Sequence, residues 1–205
     1  MNIRIVSTDS VMLYFEPIIS EAVLDQVQRA YQRLKKLDGI IDLTPSYNSI
    51  LIHYDIHIYS YQTIQNTVKM ALKDHREITQ RQKAKLITIP TQYDEKHGID
   101  LSRVAQHNQL TIEEVIQLHT ETIYRVYAIG FMVGFAYLAA VNPKIATPRL
   151  STPRAKVPKG SVAIADSQTA IYPQNSAGGW NIIGYTEFED FERFTVGDQV
   201  QFISV

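Results

Sequence analysis

The chain has 205 residues, 45% of them hydrophobic, a formal net charge of −1 and no cysteine. Its apolar content is enough for one large core or two small ones, and its near-zero charge removes the long-range field that gathers nucleic acid, so DNA or RNA is not the expected partner. The lack of cysteine excludes disulfides and thiolate chemistry and fits a reducing cytoplasm, and the longest apolar run, Ile129 to Val141, is too short and too glycine-broken to span a bilayer.

The first elements read as strand, strand, helix, twice over. Asn2 to Ser7 and Met12 to Phe15 alternate as strands around a polar turn, and Pro17 closes the hairpin. From Ser20, the residues Val23, Val27, Ala30, Leu34 and Leu37 fall at steps of three and four, which predicts a helix with one buried stripe running to the Gly39 stop. Ile40 to Pro45 and Ser49 to Tyr54 predict a second hairpin, and Tyr61, Ile64, Val68, Ala71 and Leu72 a second amphipathic helix. This order predicts an antiparallel sheet with two helices on one face, a small α+β domain over residues 1–82 that leads out through a polar stretch, 74–85. His53 and His57 are four apart on a strand, a spacing that does not converge on a metal, and no metal site is expected.

Residues 83–205 read as a second, mostly β domain, a barrel. Leu86 to Pro90 predicts a strand ended by its proline, and Asp100 to Ala105 a short helix. Thr111-Ile112-Glu113-Glu114 has the spacing of a capping box and opens a helix through Val115, Ile116 and His119. Strands are predicted over 122–129 and 199–205. Between them, Gly130 to Gly184 holds six of the nine glycines and five of the eight prolines. Its backbone is therefore specified by turn chemistry, and loops of that kind aim side chains at ligands.

Three constellations in this region carry candidate chemistry. Lys144, Arg149, Arg154, Lys156 and Lys159 lie between Pro143 and Gly160 with no acidic residue, on a segment with a proline at every fifth position. It reads as a stiffened arm that suits a carboxylate or phosphate, Arg154 foremost, or alternatively as a basic loop docking on the acidic stretch Glu187 to Glu192. His119 reads either as a general base or as a hydrogen-bonded, half-buried helix histidine. Gly178-Gly179-Trp180 either lets a ligand approach a bare backbone beside an indole or anchors a core corner. Lys159-Gly160-Ser161 lacks the upstream glycine of a phosphate loop, and there is no G-x-S-x-G elbow.

Gly130-Phe131-Met132-Val133-Gly134-Phe135-Ala136-Tyr137-Leu138, the pairs Pro148-Arg149 and Pro153-Arg154, Val157-Pro158-Lys159-Gly160-Ser161, Gln168-Thr169-Ala170-Ile171-Tyr172-Pro173 and Ser176-Ala177-Gly178-Gly179-Trp180 together resemble the family of 5-oxoprolinase B subunits. That family is also called allophanate hydrolase subunit 1-like and includes the sporulation kinase inhibitor KipI. The resemblance implies a small N-terminal α/β domain followed by a cyclophilin-like β-barrel. It also implies an ATP-dependent, cytoplasmic enzyme that opens 5-oxoproline to L-glutamate, ATP being a co-substrate of the hetero-oligomeric complex. The implied partners are a barrel-type C component and a separate A component. On this reading His119, Arg154, Gln168 and Tyr172 are the catalytic candidates. Phe131, Phe135, Arg149, Ser161, Thr169, Ser176, Gly178, Gly179 and Trp180 are the binding ones. The alternative is a non-enzymatic inhibitor of a histidine kinase, docking through Phe131, Phe135 and Trp180. Val133, Ala170 and Ala177 depart from the family pattern, replacing a proline, a glycine and a proline of it.

Overall fold

The computed structural model describes residues 2–73 and 84–205. They divide into two compact units, Met1–Lys83 and Ala84–Val205. In the first, β1 (Asn2–Ser7), β2 (Ser10–Tyr14), β3 (Ile40–Ser46) and β4 (Ser49–Tyr54) form an antiparallel sheet in the order β1-β2-β4-β3. Helices α1 (Glu21–Leu34) and α2 (Tyr61–Lys73) supply Val23, Val27, Ile64 and Val68 to a core shared with Val11, Leu13, Ile50 and Ile52 of the strands. The period-two and period-3.6 stripes therefore meet as the sequence requires. Ser20 caps α1 through its side chain, but the helix stops at Leu34, short of Gly39. Lys36 and Leu37 bond back three residues, and Gly39 turns the chain at φ +76°. The polar stretch 74–85 lies, up to residue 83, outside the described residues.

The second unit is built on seven strands: β5 (Leu86–Thr91), β6 (Ile123–Ile129), β7 (Ala136–Ala139), β9 (Ser161–Ala165), β10 (Gln168–Ile171), β12 (Asn181–Tyr185) and β13 (Gln199–Ser204). Their order is β12-β9-β10-β7-β6-β13-β5, and Gln92, just past β5, exchanges two backbone hydrogen bonds with Tyr185 of β12, so the sheet is a nearly closed barrel. Pro90 does not end β5. It sits inside the strand opposite Ile203 in the parallel β5–β13 pair, and β5 is the last strand of the order, where a missing N–H costs no second ladder. Two helices, α3 (Leu101–Asn108) and α4 (Ile112–Glu121), pack Leu101, Val104 and Val115 into the core with Val126, Leu138, Val162, Ile164 and Phe202. The capping box at Thr111 and Glu114 is formed in both directions. Along β9 the side chains alternate: Val162 and Ile164 enter this core, while Ala163 and Ala165 face a second, aromatic cluster on the opposite face. A two-stranded ribbon, β8 (Arg154–Val157) with β11 (Ser176–Gly178), contributes Val157 to that cluster.

Candidate functional site

The aromatic cluster is the floor of the candidate site. Phe135 stands at its centre, with ring centroids 5.4 Å from Phe131, 4.9 Å from Tyr137, 5.4 Å from Tyr172 and 5.8 Å from Trp180. Three of these four contacts are close to edge-on and the fourth is inclined at 63°. Edge-to-face pairs of this kind contribute about 0.5–1.5 kcal/mol each beyond burial. Small residues make room for the rings: Ala163, Ala165 and Ala170 lie beneath them. Gly178 has no room for a Cβ, because the Tyr172 hydroxyl occupies that position. Burial pushes the Tyr172 phenol up, while the backbone N–H of Trp180, donating to it, and the nearby Arg149 and Arg154 pull the other way. The phenol therefore stays a neutral hydroxyl. Phe135 and Trp180 are buried, so they offer no docking surface of their own. Only Phe131, 64% exposed, reaches solvent. The expectation of three surface aromatics is thus corrected: the glycine and alanine neighbours let the other two sink beneath the ribbon.

The basic segment is not an extended arm. It wraps the Gly178-Gly179-Trp180 corner: Leu150 N–H donates to Gly179 O at 2.8 Å, Pro153 packs on Gly179, and Arg154 pairs with Gly178 across the β8–β11 ribbon. Two residues the sequence reading missed fix this wrap. Asn181, fully buried, donates from Nδ2 to Pro148 O and Ile164 O, both at 3.0 Å, and its Oδ1 accepts from Arg103. Asp100, also buried, accepts from Arg154 Nη2 at 2.6 Å and from Ile182 N–H at 2.7 Å. Asp100 precedes α3 and has the residue type of an N-cap, yet it makes no cap bond. Arg154 is therefore held and neutralised, with Nη1 buried and without a hydrogen-bond partner among the described residues. Lys159 pairs with Glu189 at 2.8 Å, as the docking alternative supposed, and the Glu189 carboxyl is lowered by that hydrogen bond. Arg149 differs from both. It is exposed, its guanidinium lies 5.6 Å from the Trp180 ring centroid, and among the described residues it has no carboxylate partner.

His119 does not face this site. It is fully buried on the other face of the sheet, where its ring centroid lies 4.6 Å from that of Phe202 and 5.3 Å from that of Tyr124, tilted against both. Thr169 Oγ1 donates to Ala163 O at 3.0 Å, so it accepts from His119 Nε2–H at 2.9 Å; Nδ1 in turn accepts from the Tyr93 hydroxyl at 2.7 Å. Burial pushes the imidazole down to about 3. A neutral ring with both nitrogens occupied and no path to solvent is a core strut. The general-base role is corrected accordingly, and Thr169 goes with it to the core. Gln168 opens β10, half-buried, opposite Ala139 and Ala165. Ser161 is buried, and its carbonyl accepts from Tyr172 N–H at 2.9 Å. Ser176, half-buried, lies on the ribbon opposite Val157. The structure thus brings together Phe131, Phe135, Arg149, Tyr172, Gly178, Gly179 and Trp180, with Arg154 and Ser176 on the covering ribbon. It adds Tyr137, half-buried, whose phenol burial raises and Arg149 lowers.

Chemically, the face offers the Arg149 guanidinium, without a carboxylate partner among the described residues, on an apolar ledge with a neutral tyrosine beside it. Among the described residues no group of three or more His, Cys, Asp or Glu converges as a metal site, and no helix is long and apolar enough to cross a membrane.

Residues 1–198 match the family model described as carboxyltransferase domain, subdomain C and D. The chain is 35% identical to the 5-oxoprolinase B subunit of Haemophilus influenzae, over 99% of this chain and 97% of that one. It is 32% identical to that of Bacillus subtilis, over 96% and 89%, and 31% identical to that of Escherichia coli O157:H7, over 97% and 94%. Among solved structures, TTHA0988 is similar at 32% identity with a TM-score of 0.81 over 97% of this chain, which spans 40% of that longer one. The urea carboxylase of Kluyveromyces lactis, 15% identical, shares the fold alone, with a TM-score of 0.78 over 99% of this chain and 21% of that one. End-to-end likeness at this level, on the glycine, proline and aromatic framework just described, has a plain consequence: the chain belongs to the family of 5-oxoprolinase B subunits.

Proposed function

We propose that the chain is the B component of a cytoplasmic, ATP-dependent 5-oxoprolinase that works with its A and C components to open 5-oxoproline to L-glutamate. What supports this reading is the likeness, along nearly the whole chain, to three proteins named as 5-oxoprolinase B subunits. A lactam resists water at neutral pH and must be activated. Phosphoryl transfer from ATP to the amide oxygen releases ADP and makes the ring carbonyl carbon electrophilic. Water adds to that carbon, the ring C–N bond breaks, the nitrogen takes a proton, and a second water releases phosphate from the resulting acyl phosphate. Positioned cations and neutral donors stabilise the oxyanions of these steps. Our candidate for such a neutral donor in this chain is the phenol of Tyr137. The chain has no glycine-rich phosphate loop, and we assign the ATP phosphates to the partner proteins.

The test is to mix the purified chain with its A and C components and measure glutamate released from 5-oxoproline with and without ATP. Release that needs both ATP and this chain supports the reading, and no release rejects it. The kinase-inhibitor alternative is not carried forward, since of the three aromatics it requires at the surface only Phe131 is exposed.

A further inference from the structure

We propose that Arg149 is the residue that takes the carboxylate of the substrate, held ready for it over Trp180; this rests on the 5-oxoprolinase reading above. The first ground is charge. Of the two arginines of the basic segment, Arg154 is neutralised by Asp100, whereas Arg149 has no carboxylate partner among the described residues; Lys144 and Lys156 have none either, but a lysine lacks the planar fork. The second is backbone precision. The residue before Arg149 is anchored through Pro148 O to the buried amide of Asn181, and the residue after it through Leu150 N–H to Gly179 O. Asn181 is itself bound to Ile164 O and Arg103. A merely solvated surface arginine needs no such support, and a ligand-binding one gains from it because less freedom is lost when the ligand arrives. The third is orientation. The Arg149 guanidinium carbon lies over the Trp180 ring, 5.6 Å from its centroid, and a guanidinium held by an indole in this way still has N–H donors for a planar, two-pronged acceptor. That acceptor is a carboxylate on a small ring, whose apolar part can rest on the ledge toward the exposed Phe131. The Tyr137 hydroxyl, close enough for Arg149 to influence its ionisation, supplies a neutral contact alongside.

The experiment is steady-state kinetics of the reconstituted complex carrying wild-type chain, Arg149→Ala, Arg149→Lys or, as a control, Lys144→Ala. Each is assayed on 5-oxoproline and on 2-pyrrolidinone, which lacks the carboxylate. Arg149→Ala is expected to raise KM for 5-oxoproline about tenfold or more with kcat changed less, to abolish the preference over 2-pyrrolidinone, and to melt like the wild type. Arg149→Lys, which keeps the charge but loses the fork, falls between, and Lys144→Ala behaves as wild type. If the wild-type complex makes glutamate and KM for Arg149→Ala rises less than about threefold, the assignment is overturned while the 5-oxoprolinase reading stands. If the wild-type complex makes none, that reading falls and takes the assignment with it. Should Arg149→Ala fail to fold, Arg149→Lys decides: an unchanged KM and unchanged discrimination overturn the proposal.

Discussion

His119 gives the fold a pH dependence that can be worked out in advance. Burial lowers its imidazole from an ordinary 6.5 to about 3, so the unfolded chain binds a proton that the folded one refuses. The stabilisation is fully present above pH 6.5, is lost progressively as pH falls, and is exhausted below about 3. Within that window the loss is about 1.4 kcal/mol per pH unit, or roughly 2 kcal/mol between pH 6.5 and 5, a large part of a typical domain's stability. The carboxyls of Asp94 and Glu189, lowered by His97 and Lys159, lose their contribution only at lower pH, near the carboxylate range. The chain's other histidines are common to wild type and a His119 variant, so the difference between the two over pH 6.5 to 5 isolates this ring. Urea unfolding followed by Trp180, the chain's one tryptophan, reports on this unit at each pH. Wild type is expected to weaken along that slope. His119→Gln is expected to be less stable at pH 7, by about 2–4 kcal/mol for the lost ring and disturbed hydrogen bonds, and to lack the loss that this ring adds to the wild type from 6.5 to 5. A flat wild-type profile, or a slope that survives undiminished in the variant, refutes the buried neutral ring.

Other substitutions separate the floor of the site from its rim. Asp100→Ala is expected to cost about 3 kcal/mol in urea unfolding, because it strips the partner from a half-buried guanidinium and from Ile182 N–H. Gly178→Ala drives a methyl group into the Tyr172 hydroxyl and is expected to cost about 2 kcal/mol, part of it recovered with Tyr172→Phe in a double variant. Phe135→Ala removes the hub of four ring contacts at about 3–5 kcal/mol, whereas the exposed Phe131, which makes one of them, is expected to cost only about 0.5–1.5 kcal/mol as Phe131→Ser, as measured by thermal or urea melts.

The sequence showed the parts of this molecule that depend on near neighbours. The α1 stripe, the Thr111–Glu114 capping box and both hairpins of the first unit are matters of spacing within a dozen residues, and each is present. What it hid depends on distant partners. Arg154 looks like the best-placed free cation until Asp100, 54 residues earlier, is found against it. His119 reads either as a base or as a hydrogen-bonded helix histidine until Thr169 and Phe202 enclose it and decide for the second. Pro90 looks terminal because nothing local says that its strand will lie at the end of the sheet order. Asn181, between Trp180 and Ile182, carries no motif that marks it as the anchor of Arg149. The Gly178-Gly179-Trp180 corner was legible as a place of close approach. That the approaching chain is the protein's own 148–154 segment was not.

The most direct test of the account is a drop-out assay. Glutamate formed per ATP consumed is followed in the mixture of the A and C components with this chain, then with this chain alone omitted, then with it restored. The account predicts coupled turnover in the full mixture, its loss on omission and its return on restoration. Equal glutamate formation with and without the chain would contradict it.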